Sequence, residues 1–178
     1  MEGIKFKVAL KDITPEIWRE FKIPADLSLA ELHDVLQVVM GWENVHLYEF
    51  QLEDQRYGPA DEEAPDELQD ANDTYLDELS LEKGTTFSYI YDFGDGWEHT
   101  ITVQELLDEE PETAVCLDGG RECPPEDCGG RWGYSGLLEV IANPKHPQHE
   151  EMKEWLGGEF DPEFFDKDEV NEELKEVA

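Results

Sequence analysis

The chain has 178 residues, 46 of them acidic and 13 basic, for a formal charge of -33. That charge repels phosphate backbones and excludes direct nucleic-acid binding over most of the surface. A hydrophobic content of 39%, with 11% aromatic residues that include five Trp, excludes a disordered chain and fits one packed domain rather than two.

The first element is a strand. Residues 4–10, "IKFKVAL", alternate Ile4, Phe6, Val8 and Leu10 with polar or small neighbours, the period of two of a half-buried strand. A second strand follows in "EIWREFKI", with Ile17, Arg19, Phe21 and Ile23 on one side and Trp18 on the other. "SLAELHDVLQVVMG" is the clearest helix: Ser28 and Glu31 have capping-box spacing, Leu29, Leu32, Val35, Leu36, Val39 and Met40 recur at helical spacing, and Gly41 ends it. His33 falls beside the stripe and reads as a solvent-side residue.

"HLYEFQL", residues 46–52, reads as a strand with His46, Tyr48, Phe50 and Leu52 on one face. The acid-, Pro- and Ala-rich residues at about 53–73 read as an exposed, mobile loop. "YLDELSLEKG" is a short helical turn, and "TTFSYIYDFGDGWEHTITVQEL" a hairpin. "AVCLDGGRECPPEDCGGRWGY" is punctuated by Gly and Pro and reads as irregular. Three helices are expected after it: one ended by Asn143 and Pro144, one stopped by Gly157 and Gly158, and one with Pro162 in its first turn. The order predicts an α+β fold for residues 1–178 as a single domain. Antiparallel strands and hairpins with one long helix fill the first two-thirds, and helices the C-terminal third.

The hairpin tip carries more polar groups than a turn needs. Asp-Gly at 95–96 signals a two-residue turn, which would set Asp92 opposite His99; a four-residue loop would leave them diagonal on one face, with Ile90, Trp97 and Ile101. Read as structure, Asp95 serves the turn and Asp92 and His99 form a cross-strand pair. Read as function, the carboxylate orients the imidazole for proton transfer or metal binding. Asp92, Asp95, His99 and Glu126 are therefore candidate catalytic residues, and His46, Trp97 and Asp127 candidate binding residues.

No apolar run approaches the roughly 18 residues of a membrane span, and the first residues, "MEGIKFKVAL", lack the form of a signal peptide. The expected location is the cytoplasm. There Cys116, Cys123 and Cys128 stay reduced, as free thiols or ligands of zinc, for which His99, His146 or His149 could be the fourth ligand. The gaps of six and four residues are not those of a zinc knuckle, and redox use lacks a Cys-x-x-Cys. Neither a P-loop nor a serine nucleophile elbow is present.

The blocks "PEIWREFKIPADLSLAELHDVLQVVMGWENVHLYEF", "YDFGDGWEHTITVQ", "CLDGGRECPPEDCGGRWGY" and "HPQHEEMKEWLGGEFDPEFFDKDEVNEEL" span nearly the whole chain. In them the sequence resembles the Ri-plasmid open-reading-frame-like family, also labelled insertion-element passenger TnpR proteins. The resemblance implies one α+β domain found in bacteria, archaea and mobile elements, and it transfers no activity. It places Trp42, His46, Asp92, Asp95, His99, Cys116, Cys123, Glu126, Asp127 and Cys128 in signature blocks. A recombinase, as the TnpR label suggests, needs a serine nucleophile among arginines and a basic DNA-binding region, and this chain has neither.

Three functions remain. The first is a binding module with a polar pocket near the hairpin tip and the Cys-rich loop, whose acidic surface suits a basic protein partner. The second is a metal-dependent, hydrolytic enzyme using His46, Asp92, Asp95 and His99, with Cys128 or Glu126 nearby. The third is an acidic mimic of nucleic acid.

Overall fold

A computed structural model describes residues 1–61 and 64–177. Eight strands form one sheet: β1 (Gly3–Leu10), β2 (Trp18–Pro24), β3 (Tyr48–Leu52), β4 (Gln55–Gly58), β5 (Leu68–Asp70), β6 (Thr86–Tyr91), β7 (Trp97–Leu107) and β8 (Val115–Gly120). Their spatial order is β5-β4-β3-β6-β7-β1-β2-β8, and every pairing is antiparallel except β4 with β5. Four helices accompany it: α1 (Leu29–Met40), α2 (Gly130–Ala142), α3 (His149–Leu156) and α4 (Lys167–Leu174). The fold is α+β, with the sheet in the first two-thirds of the chain and three of the four helices after it. None of these helices is long and apolar enough to cross a membrane.

The alternating residues of β1 and β2 bury one face, with Phe6 opposite Phe21. Arg19 lies on that buried face, as its parity with Ile17 and Phe21 requires. It is 2% exposed, and its guanidinium donates to the carbonyls of Trp18, Val39, Met40, Gly120 and Arg121. A buried charge is tolerated because nearly every donor has an acceptor. Helix α1 forms where its stripe predicts: Ser28 and Glu31 close the capping box, and Leu32, Val35, Leu36 and Val39 are fully buried in the core.

Four expectations need correction. The stretch at about 53–73 contains β4, β5 and a 3-10 turn, with Tyr57 and Ala71 buried; its acids hid two short strands, and Glu62 and Glu63 lie outside the described residues. Strand β8 lies inside the stretch read as irregular. Its glycines serve close packing rather than a turn: a Cβ on Gly119 would lie 2.7 Å from Phe165 and 2.8 Å from Arg19. Helix α2 starts at Gly130, inside the Gly- and Pro-punctuated stretch ending at Tyr134 that reads as irregular. Helix α4 starts at Lys167, because Asp166 rather than the Pro162 region caps it, accepting from the N–H groups of Asp168 and Glu169.

At the β8 rim, the Asn171 side chain on α4 accepts from the Cys116 N–H at 2.7 Å and donates to the Cys116 carbonyl at 3.0 Å.

Candidate functional site

The site forms where three chain segments meet: residues 42–47 after α1, the β6–β7 tip, and the loop before α2. The tip is five residues long, because Tyr91 pairs with Trp97 and Tyr89 with His99. Asp92 takes a left-handed conformation, φ 62, and its Oδ1 accepts from the N–H groups of Gly94 and Asp95. That leaves Oδ2 free to face His46 Nε2 at 3.5 Å.

This length overturns the Asp92–His99 pairing. Going from a two-residue to a five-residue connection shifts the register by an odd number and reverses which residues share a face. His99 thus joins Tyr89, Tyr91, Trp97 and Ile101 in the core, while Ile90 points the other way. His99 is fully buried; its Nε2 accepts from the Trp42 indole at 3.1 Å and its Nδ1 donates to the Tyr89 carbonyl at 3.0 Å. Burial, against opposing backbone hydrogen bonds, takes this imidazole down to about 4, so it is a neutral core residue at physiological pH. Trp97 is 2% exposed, packed 5.3 Å from Trp42, and is also a core residue.

The loop before α2 closes onto the tip. Asp95 Oδ2 accepts from the Gly129 N–H at 3.2 Å, and the Asp95 carbonyl packs so close to Gly130 that a Cβ there would lie 2.5 Å from it. This contact presents Glu126 and Asp127 to the end of α1. Asp127 Oδ1 accepts from His46 Nε2 at 2.8 Å. Glu126 Oε2 accepts from the Tyr91 hydroxyl at 2.7 Å and the Glu43 N–H at 3.1 Å, while its Oε1 is buried with no protein partner. Burial and the Glu126 contact push the Tyr91 hydroxyl up, which keeps it a donor.

His46 lies two residues ahead of β3 rather than on it, which releases its ring to this side. Among the described residues, the group of three or more metal-ligating side chains is His46, Asp92 and Asp127, whose ligand atoms all lie within 4.8 Å of one another. Burial pulls the His46 imidazole down. The Asp127 hydrogen bond and the charges of Asp92, Asp127 and Glu126 together outweigh it, leaving the group above its ordinary value.

The cysteines form no such cluster. Cys116 sits in β8, Cys123 is buried by the end of α1, and Cys128 lies in the loop. Burial pushes the Cys116 thiol up to about 11 and that of Cys128 to about 12, the latter helped by the nearby carboxylates, and it raises Cys123 as well. Thiols so raised are protonated near neutrality and poor nucleophiles. His146 Nδ1 accepts from the Gln148 N–H, and His149 Nδ1 contacts the Val140 carbonyl.

Sequence reasoning also missed a polar ring inside the fold. His33 is 5% exposed and stacked on Tyr48 at 3.6 Å. The Gln37 amide donates to the Tyr89 hydroxyl and His33 Nδ1 contacts that same hydroxyl. His33 Nε2 contacts Asn44 Oδ1, and the Asn44 N–H donates to Gln37 Oε1. This ring fixes the residues that lead from α1 to His46. Its one sequence signal was a histidine beside an apolar stripe.

A family model described as plasmid pRiA4b ORF-3-like protein matches residues 2–169. An uncharacterized protein, y4hQ, of Sinorhizobium fredii (strain NBRC 101917 / NGR234) is 38% identical over 178 residues, covering 98% of this chain and 92% of its own. The crystal structure of a protein of unknown function, MM3350 from Methanosarcina mazei Go1, superposes with a TM-score of 0.84 at 34% identity, covering 99% of this chain and 97% of that one. The chain belongs to the plasmid pRiA4b ORF-3-like family.

Proposed function

We propose that His46, Asp92 and Asp127 bind a divalent transition-metal cation, with zinc the first candidate, and that the protein works as a metal-dependent, hydrolytic enzyme. The observation that carries this reading is the convergence of one imidazole nitrogen and two carboxylate oxygens from three separate segments within 4.8 Å. Imidazole with carboxylate suits first-row divalent metals. The buried, unpartnered Glu126 Oε1 beside them is unusual for a carboxylate and supports a cation or a water held there.

Three protein ligands, one of them the 65% exposed Asp127 side chain, resemble an open catalytic site rather than a closed structural one. Metal coordination lowers the pKa of a bound water to about 7. With a metal bound, Glu126, anchored through its other oxygen, would be the carboxylate placed to take a proton from a water held there.

The test is zinc and manganese titration of EDTA-treated protein by calorimetry. One equivalent should bind to the natural chain, and binding should be lost in His46→Ala and Asp92→Asn variants that keep the native circular dichroism. Absence of stoichiometric binding, or binding unchanged in His46→Ala, would overturn the proposal.

The formal charge of -33 supports a second reading, a basic protein partner steered by the surface field. It predicts an association rate that drops steeply with added salt.

A further inference from the structure

A cavity of about 370 Å³ adjoins the proposed cation site and shares Asp127 as a wall; Leu137, Gln148, Glu151, Met152 and Trp155 complete most of the lining. It is the cleft between α2 and α3. Gln148, Glu151, Met152 and Trp155 follow one another at helical spacing, so a single stripe of α3 faces the space. That stripe is not spent on the core: α3 has no buried residue, and Trp155 is 52% exposed. Met152 and Trp155, the apolar members of that stripe, are left open beside carboxylates and offer an apolar wall to an occupant.

The lining also has a sign. It holds two carboxylates, an indole and a thioether, and among its described residues no Lys, Arg or His. The lysine of α3, Lys153, is held by Glu159 at 3.0 Å. Even with a divalent ion bound, Asp92, Glu126, Asp127 and Glu151 outnumber its charge. Indole faces and carboxylates favour positively charged heads, and the apolar wall favours a hydrocarbon stem. The volume is at the lower end for small-molecule sites, which run from about 300 to 1,000 Å³.

We propose that the α2–α3 cleft binds a small organic cation, an arylalkyl- or alkylammonium, with its charged head between Asp127 and Glu151 and its stem against Trp155, Met152 and Leu137. The proposal goes beyond the divalent-cation site and shares only Asp127 with it; Glu151, Met152 and Trp155 are not among the metal ligands.

Phenethylammonium should be titrated into EDTA-treated, isotopically labelled protein at about 0.15 M salt, where the surface field is screened beyond roughly 8 Å, with the amide and indole N–H signals followed by NMR. Shifts should centre on α3, the Trp155 indole and the α2 face at Leu137. The amine should bind at least tenfold tighter than its neutral isostere 2-phenylethanol, and tighter than ethanolammonium, which has the charge without the stem. Trp155→Ala should weaken it roughly fivefold, as loss of the aromatic contact with the stem implies, and Glu151→Gln roughly threefold; Trp132→Ala, another exposed indole, should leave it unchanged.

Equal binding of amine and alcohol, or of ethanolammonium and phenethylammonium, would overturn the proposal, as would indifference to Trp155→Ala. Tighter binding of N-acetyl-lysine methylamide than of phenethylammonium would move the occupant to a protein side chain and overturn the small-molecule assignment. Because the protein carries no metal in this experiment, failure here leaves the zinc titration untouched, and failure of that titration leaves this result standing.

Discussion

Replacing Gly130 by alanine tests whether the loop before α2 is docked on the hairpin tip. Gly130 has φ +71, and a Cβ there would lie 2.5 Å from the Asp95 carbonyl oxygen. The left-handed conformation costs an L-residue about 1 to 2 kcal/mol. The collision is with main chain, which cannot rotate aside, so the tip and the loop must part; overpacking of this kind adds about 1 to 3 kcal/mol. Gly96→Ala is the control, because its φ is +72 but nothing lies within 4 Å of the added Cβ. Urea unfolding should therefore show Gly130→Ala losing about 1 to 3 kcal/mol more than Gly96→Ala, a further melting decrease of about 2 to 12 °C at this chain length. Equal losses in the two variants would refute the docking argument.

The histidines should titrate far apart by proton NMR: His46 above its ordinary value, and His33 and His99 neutral down to about pH 4. Since His33 and His99 are depressed from about 6.5, the unfolded chain takes up their protons first; the stability they contribute is complete above about pH 6.5 and is lost as pH falls to about 4, on the order of 3 kcal/mol each. The stability gap between the natural chain and His99→Gln should narrow over that range, and a constant gap would contradict the burial argument. Zinc must displace the His46 proton, so its affinity should fall about tenfold per pH unit below the pKa of that group; affinity unchanged between pH 7.5 and 5.5 would remove His46 from the ligand set. Arg19→Met keeps the apolar stem and abandons five carbonyl acceptors, which should cost more than about 3 kcal/mol in urea unfolding. A loss under about 1 kcal/mol would mean that those carbonyls find other donors.

Periodicity alone recovered β1, β2 and α1, because each buries a single face and the alternation is written in consecutive residues. The same parity put Arg19 inward with Ile17 and Phe21. What failed were the places where a glycine or an acid has two uses. Glycines weaken a strand in general, but Gly119 and Gly120 here admit Phe165, Arg19 and Trp18 against one. Asp95-Gly96 has the look of a two-residue turn, yet Asp92 turns early through its own side-chain hydrogen bonds, and this single change separates it from His99. His46 and Asp127 were each named as binding residues from local pattern. Their meeting with Asp92 depends on the loop before α2 folding back across the tip, a long-range contact that no local pattern encodes.

The Asn171 amide at the sheet rim acts as a strand one residue long. An incoming polypeptide would need the Cys116 N–H and carbonyl to extend the sheet past β8, and both are occupied. The opposite rim, β5, spans three residues, too short to template much pairing. Each open side of the eight-stranded sheet therefore offers an incoming strand less to pair with, one through its brevity and the other through the clasp at Cys116. On the β8 side that protection rests on one amide: a carboxylate in its place would still accept from the Cys116 N–H, but its second oxygen would face the Cys116 carbonyl with no proton between them and loosen the clasp.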